Sequence, residues 1–247
     1  MYNTLLQLAR KGDKLSIARC ISLIENNDAH FIKIDLQDEH EDSIPVLGIT
    51  GPPGAGKSTL IDQLINVYVE DGKRLAVICV DPSSPFHQGA VLGDRIRMSR
   101  WYNYPEVYIR SLATRGALGG VPQVMGKIIE FIRSCDFDLI ILETVGVGQS
   151  EINVSALADV SVVVLVPEAG DEIQFMKAGL MEVADVFVVN KSDRIDAELF
   201  TSQLRNLLQI SYHTQNKELP SIVNTVGTTG VGIPALKRTI DKLITKP

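Results

Sequence analysis

Several things are scarce in this sequence, and each scarcity excludes something. Only three cysteines occur in 247 residues, and Cys20, Cys79 and Cys135 form no CxxC pair and no metal-ligand spacing. Cys79 and Cys135 lie in apolar segments, where a free thiol behaves as a small hydrophobe, so all three read as core residues in a reducing compartment. No window approaches eighteen uninterrupted apolar residues, and polar and charged residues are scattered through the first fifteen positions. A membrane span and a signal peptide are therefore not expected, and the cytoplasm is the expected location. Positive charge is also in deficit: 24 Lys and Arg against 30 Asp and Glu leave a net charge of −6. Nucleic acid or an anionic membrane as main partner would need an electropositive face, so neither is expected. Arg95, Arg97 and Arg100 make a local basic cluster that reads as a solvated helix face. Internal repeats and low-complexity tracts are missing too.

What remains is an ordinary globular composition, 45% hydrophobic and 22% charged, long enough for one large α/β domain with a real core. Residues 3 to 27 carry an apolar stripe through Leu5, Leu8, Leu15, Ala18, Ile21 and Ile24, broken near Lys11-Gly12-Asp13, where one helix ends and another is capped. The polar run Gln37 to Asp42 then reads as an exposed linker, which divides the chain into a helical extension at 1–43 and a main domain at 44–247. Strands are expected at Val46 to Thr50, Leu75 to Val80, Val107 to Ile109, Leu139 to Leu142, Val160 to Val166, Val186 to Val189 and Ile222 to Val226. Helices are expected at Ser58 to Glu70, Gln123 to Ser134, Ile152 to Leu157, Ala197 to Leu208 and Pro234 to Leu243. The strand runs are Val, Ile and Leu without polar alternation, the signature of strands buried on both faces. The expected fold is α/β, a doubly wound, mainly parallel sheet with helices on both faces.

Three motifs carry the chemistry. Gly51-Pro52-Pro53-Gly54-Ala55-Gly56-Lys57-Ser58-Thr59 has the phosphate-loop spacing between a strand and a helix. Its glycines let backbone N–H groups turn toward a polyphosphate, Lys57 adds a point charge, and Ser58 can ligate Mg²⁺ at the helix N-terminus. Asn190-Lys191-Ser192-Asp193 follows an apolar strand and has the guanine-reading Asn-Lys-x-Asp spacing. The Asp193 carboxylate can accept from the ring N–H and exocyclic amine of guanine, a pair that adenine does not offer. Asn224-Thr225-Val226 stands where a second base-flanking loop would be. Third, the strand ending in Glu143 is followed by Thr144-Val145-Gly146, an acid that can hold Mg²⁺ and a glycine whose N–H can sense the γ phosphate. Val147 follows Gly146 where Ras-like proteins place a water-orienting Gln, so the attacking water must be positioned otherwise. Asp81 and Asp94 are candidates for that task or for the metal shell. Asp81 also suits an Asx-Pro turn and Asp94 a helix cap, and the roles can coexist.

Longer runs resemble a known family. Val80-Asp81-Pro82-Ser83-Ser84-Pro85, the segment Gly89 to Met98, Arg110 to Gly120, and above all Glu143-Thr144-Val145-Gly146-Val147-Gly148-Gln149-Ser150-Glu151 are similar to the MeaB/ArgK family of G proteins, over nearly the whole chain. The resemblance implies a P-loop GTPase of the SIMIBI class, binding GTP and GDP, dependent on Mg²⁺, and acting as chaperone for an adenosylcobalamin-dependent mutase such as methylmalonyl-CoA mutase. It also implies Ser58, Asp81, Asp94 and Glu143 around Mg²⁺ and the attacking water. A further switch follows from it at Ala169 to Lys177, with Asp171, Gln174 and Lys177 coupling nucleotide state to the client. That segment by itself reads as a helix start with an exposed Lys. Family members usually continue with a helical dimerisation arm, whereas this sequence stops at Lys246-Pro247, so a homodimer does not carry over. Older naming of the family makes its members ATPases or kinases for lysine, arginine and ornithine transport, which the guanine motif disfavours. A non-hydrolysing GTP-binding module is a third reading. Nickel-insertion GTPases of the same class would show His or Cys clusters, and the four His and three Cys here are scattered.

Overall fold

A computed structural model describes residues 2–31, 44–81, 98–113, 124–144, 156–167, 181, 184–215 and 218–245. Its centre is a sheet of seven strands: β1 (Val46–Thr50), β2 (Leu75–Asp81), β3 (Val107–Ala113), β4 (Leu139–Glu143), β5 (Val160–Leu165), β6 (Val186–Val189) and β7 (Ser221–Asn224). They lie in the order β3-β2-β4-β1-β5-β6-β7, and every neighbouring pair is parallel. Every residue of β1, β4, β5 and β6 is buried, which is why the sequence shows apolar runs rather than alternation.

Among the described residues six α-helices cover the sheet: α1 (Tyr2–Arg10), α2 (Lys14–Glu25), α3 (Lys57–Glu70), α4 (Met125–Arg133), α5 (Ala197–Gln215) and α6 (Ile233–Ile244). Side chains alternate between faces along each strand. Leu47, Ile49, Val77, Ile141, Val162 and Val164 face α3 and α6, meeting Leu60, Ile61, Leu64, Leu236 and Ile240. On the opposite face Val46, Ala76, Ile78, Ile140 and Leu142 meet Ile17, Ile21 and Ile24 of α2 and Ile128 and Ile132 of α4. Farther along that face, Val163, Leu165, Phe187 and Val189 are covered by Phe200, Leu204 and Leu208 of α5. The N-terminal helices thus share one buried cluster with the strands. Arg110 of β3 also reaches Glu25 of α2 at 2.8 Å.

Polar contacts set the helix ends. Between α1 and α2 the chain turns at Lys11 and Gly12, and Asp13 caps α2 by accepting from Ser16 N–H at 2.8 Å. The α3–α6 contact is pinned where Tyr68 O–H donates to Asp241 Oδ1 at 2.9 Å. Lys237 pairs with Asp71 and Asp241 at 2.8 and 2.7 Å. Arg100 pairs with Asp62 of α3 at 2.7 Å, so this member of the basic cluster holds the approach to β3. All three cysteines are buried and reduced, and burial pushes the Cys20 and Cys135 thiols up to about 11 and about 12.

Most elements differ from the expected spans by a residue or two at an end, and three of the differences are informative. Strand β3 runs on to Ala113 rather than ending at Ile109, because β2 supplies a register partner for every residue down to Asp81. In the sequence, Arg110-Ser111 interrupts the apolar run and hides this. Conversely β7 stops at Asn224, opposite Val189, the last residue of β6. Thr225 N–H still donates to Val189 O at 2.9 Å, and beyond it Val226 N–H turns to Val231 O at 2.9 Å. Helix α5 continues to Gln215, beyond the expected Leu208. Of the helix expected at Ile152 to Leu157, only Ala156 and Leu157 are described, as a turn, and the linker at 37–42 lies outside the described residues. No helix among the described residues is long and apolar enough to cross a membrane.

Candidate functional site

In the strand order, β1 lies between β4 on one side and β5 on the other, so the chain reverses its winding at β1. In open parallel sheets that reversal leaves a crevice beyond the carboxyl ends of the strands. Residues 51–56 fill the link between β1 and α3. Gly51 has φ 143°, and a Cβ there would sit 2.1 Å from Val164 O, so only glycine lets the loop pass over β5. Gly56 has φ 87°, and a Cβ would meet Asn190 Nδ2 at 2.5 Å. It is also the N-cap of α3, with no side-chain cap bond and no acid in the first turn, so that turn is electropositive. Lys57 is 8% exposed, and its ammonium donates to Gly51 O at 2.7 Å and Pro52 O at 3.1 Å, folding back over its own loop.

Beside the loop, Ser58 and Glu143 meet. Ser58 Oγ donates to Glu143 Oε1 at 2.9 Å, and both residues are buried. A hydroxyl and a carboxylate are hard oxygen donors, and Mg²⁺ commonly takes only one or two protein oxygens plus phosphates and waters. The pair therefore fits Mg²⁺, although no group of three or more His, Cys, Asp or Glu that could hold a metal occurs among the described residues. Asp81 ends β2 opposite Ala113, two residues beyond Cys79, whose register partner is Glu143. Its backbone thus comes to the same rim. Asp94, Gly146, Asp171, Gln174 and Lys177 lie outside the described residues.

The other end of the crevice is a cavity of about 210 Å³ built from three distant segments. Gly56 and Thr59 line it from the phosphate loop; Asn190, Lys191, Asp193 and Arg194 from the turn after β6; Val226, Gly227 and Thr228 from the turn after β7. Asn190 joins the segments. Its Nδ2 donates to Ala55 O at 2.8 Å, while its Oδ1 accepts from Thr225 O–H at 3.1 Å and Gly227 N–H at 3.0 Å. Its bonds go to protein, so it braces the site. Lys191 takes the left-handed conformation at φ 56°, turning the chain sharply just before Ser192 and Asp193.

Asn224 and Thr225, expected beside the base, do not line this cavity. Asn224 Oδ1 lies 3.1 Å from the Thr201 hydroxyl, and Thr225 is fully buried against Asn190. Beyond β7 the turn brings Val226, Gly227 and Thr228 to the cavity wall, Val226 and Gly227 buried and Thr228 exposed. Arg194, Gly227 and Thr228 were not singled out in the sequence. Adjacency was the signal available, Arg194 directly after Asp193 and Gly227 and Thr228 directly after Val226.

Comparison with known proteins bears on this arrangement. The family model described as methylmalonyl Co-A mutase-associated GTPase MeaB matches residues 17–246. The chain belongs to the MeaB family. A relative from Pyrococcus horikoshii, named as a GTPase, is 44% identical over 236 residues, 94% of this chain and 74% of its own. GTPase ArgK of Escherichia coli K12 is 37% identical over 191 residues, 74% of this chain and 57% of its own. The mitochondrial methylmalonic aciduria type A homolog of Mus musculus is 34% identical over 241 residues, 90% of this chain and 58% of its own. Among solved structures, one described as LAO/AO transport system kinase superposes with TM-score 0.77 at 25% identity, over 99% of this chain and 75% of its own. HypB from Helicobacter pylori in complex with nickel superposes with TM-score 0.57 at 18% identity, over 92% of this chain and 95% of its own, a likeness of fold alone.

Proposed function

We propose that this chain is a Mg²⁺-dependent protein that binds and hydrolyses GTP, and that it acts as a switch on an adenosylcobalamin-dependent mutase. The observation that carries the nucleotide half is the shared cavity: Gly56 and Thr59 of the phosphate loop line it together with Asp193, more than 130 positions away in the chain. Gly51, Pro52, Gly54, Ala55, Gly56, Lys57, Ser58 and Thr59 then hold the triphosphate, and Asp193 and Lys191 with Val226 to Thr228 hold the guanine. The mutase half is supported by the family description and by the mouse relative's name.

Phosphoryl transfer asks mainly for positioning and charge neutralisation. Lys57 answers charge developing on the β and γ phosphates, and the first turn of α3 adds oriented N–H groups. Ser58 and Glu143 would hold Mg²⁺, with Asp81 and Asp94 as further acids; when bound, the ion neutralises phosphate charge. Because Val147 stands where a water-orienting Gln is usual, intrinsic turnover is slow, and the client accelerates it. Asp171, Gln174 and Lys177 couple the two. Calorimetry with Mg²⁺ present tests the first half, with GTP binding and ATP not. Turnover of the isolated chain, measured with and without a mutase, tests the second, and a rate already fast and indifferent to the mutase would remove it. The kinase description of the structural relative favours an ATP-consuming reading. ATP binding as tight as GTP binding would select that reading instead.

A further inference from the structure

One buried contact beside the phosphate loop plays no direct part in gripping a nucleotide. Cys79 of β2 is 1% exposed, and its Sγ lies 3.7 Å from Glu143 Oε2. The other oxygen of the same carboxylate, Oε1, accepts from Ser58 Oγ. Sheet register explains the contact: Cys79 pairs with Glu143 across β2 and β4, and parallel register partners project to the same face. On the far side of Cys79, β3 supplies Ser111 as its partner, with Oγ buried. The three form a short polar row near the carboxyl ends of the strands, on the face covered by α3. The rows beneath it are apolar, Val77 beside Ile141 and Leu75 beside Leu139.

A carboxylate held at both oxygens keeps one orientation, and outer partners of this kind tune how well a ligand set holds its metal. The geometry points to Cys79 as a positioning residue, whose S–H donates to Glu143 Oε2 and so sets the divalent-cation affinity of the nucleotide-bound protein. This rests on the reading of Ser58 and Glu143 as the Mg²⁺ side of the site. A thiol is a weak, long-reaching donor, suited to steadying Oε2 without competing with the Ser58 bond to Oε1. Valine fills the same position with no donor, at a size larger by roughly one methyl group. Serine keeps a donor and loses volume.

The experiment uses the full chain loaded with GDP, with free Mn²⁺ followed by electron paramagnetic resonance during titration and Mg²⁺ measured by competition. Cys79→Val is expected to raise the Mn²⁺ Kd about tenfold, the low end for loss of an outer-shell partner, with Cys79→Ser staying within about twofold of the parent. GDP affinity in excess chelator should match the parent, and a cooperative melt within a few degrees of the parent shows that the larger valine is accommodated. Glu143→Gln is the internal control and should itself weaken Mn²⁺. If Cys79→Val binds Mn²⁺ as tightly as the parent while Glu143→Gln weakens it, the role of Cys79 is overturned and the Mg²⁺ reading stands. Equal weakening in Cys79→Val and Cys79→Ser also overturns it, since packing is then the cause. If Glu143→Gln leaves Mn²⁺ binding unchanged, or no GDP is retained, both readings fall together.

Discussion

Asp193 and Asn190 stand three positions apart in one turn, yet their tasks differ. Asp193 lines the cavity with its carboxylate available for a purine edge that presents two donors. Replacing it with Asn swaps one acceptor for a donor. Asp193→Asn should lower GTP affinity by about 10²-fold or more, since hydrogen bonds to a charged group contribute about 1.5–3 kcal/mol each. Xanthosine triphosphate, with an acceptor where guanine has its amine, should bind the variant better than GTP in a competition assay. Asn190 holds three partners, so Asn190→Ala leaves Ala55 O, Gly227 N–H and the Thr225 hydroxyl without it. That change should cost about 2–3 kcal/mol in urea unfolding, with nucleotide affinity falling as the two loops come apart. The residue identities of these loops were legible in the sequence, but their division of labour was not. A four-letter motif gives spacing; whether an amide points at ligand or at Ala55 O depends on a loop 135 positions away. The course of the cavity wall beyond β7 was hidden for the same reason, because the bridge from Val226 to Val231 shapes the turn that carries Val226, Gly227 and Thr228.

Strands and helices were easier to read wherever one physical signal dominated. Unbroken Val, Ile and Leu runs marked β1, β4, β5 and β6, all buried on both faces, whereas β3 carries Arg110 and Ser111 and announced only its first half. Helix α2 was announced by its cap, and the cap supports a prediction. Asp13→Ala removes the acceptor of Ser16 N–H and should destabilise the protein by about 0.5–1 kcal/mol, as N-cap losses do. The hydrogen bonds from Ser16 hold the Asp13 carboxyl below its ordinary value of 3.8. A depressed folded value means that the contribution is complete above the unfolded value and fades as pH falls through the folded one. Denaturant titrations of parent and variant should therefore differ by the same amount at pH 6 and pH 7 and converge in stronger acid. A gap that persists undiminished into strong acid would show that the carboxylate charge is not what caps α2.

Taken whole, the molecule links its nucleotide to its stability. A ligand that binds only the folded chain stabilises it by about 2.7 kcal/mol at a concentration one hundred times its Kd. GTP with Mg²⁺ should therefore raise the melting temperature of the parent, ATP at the same concentration should not, and Asp193→Asn should lose the GTP effect. The same sheet order also governs synthesis. Strand β1 carries the phosphate loop early in the chain, but its two neighbours, β4 and β5, begin at Leu139 and Val160, and the cavity closes only with Val226 to Thr228. Pairings so distant in sequence form late and expose unfinished edges while a ribosome is still at work. A nascent chain has the loop long before it has anything for the loop to lean on. Under the proposed function, guanine nucleotide should slow proteolysis of the finished fold and leave chains truncated before Val226 unprotected.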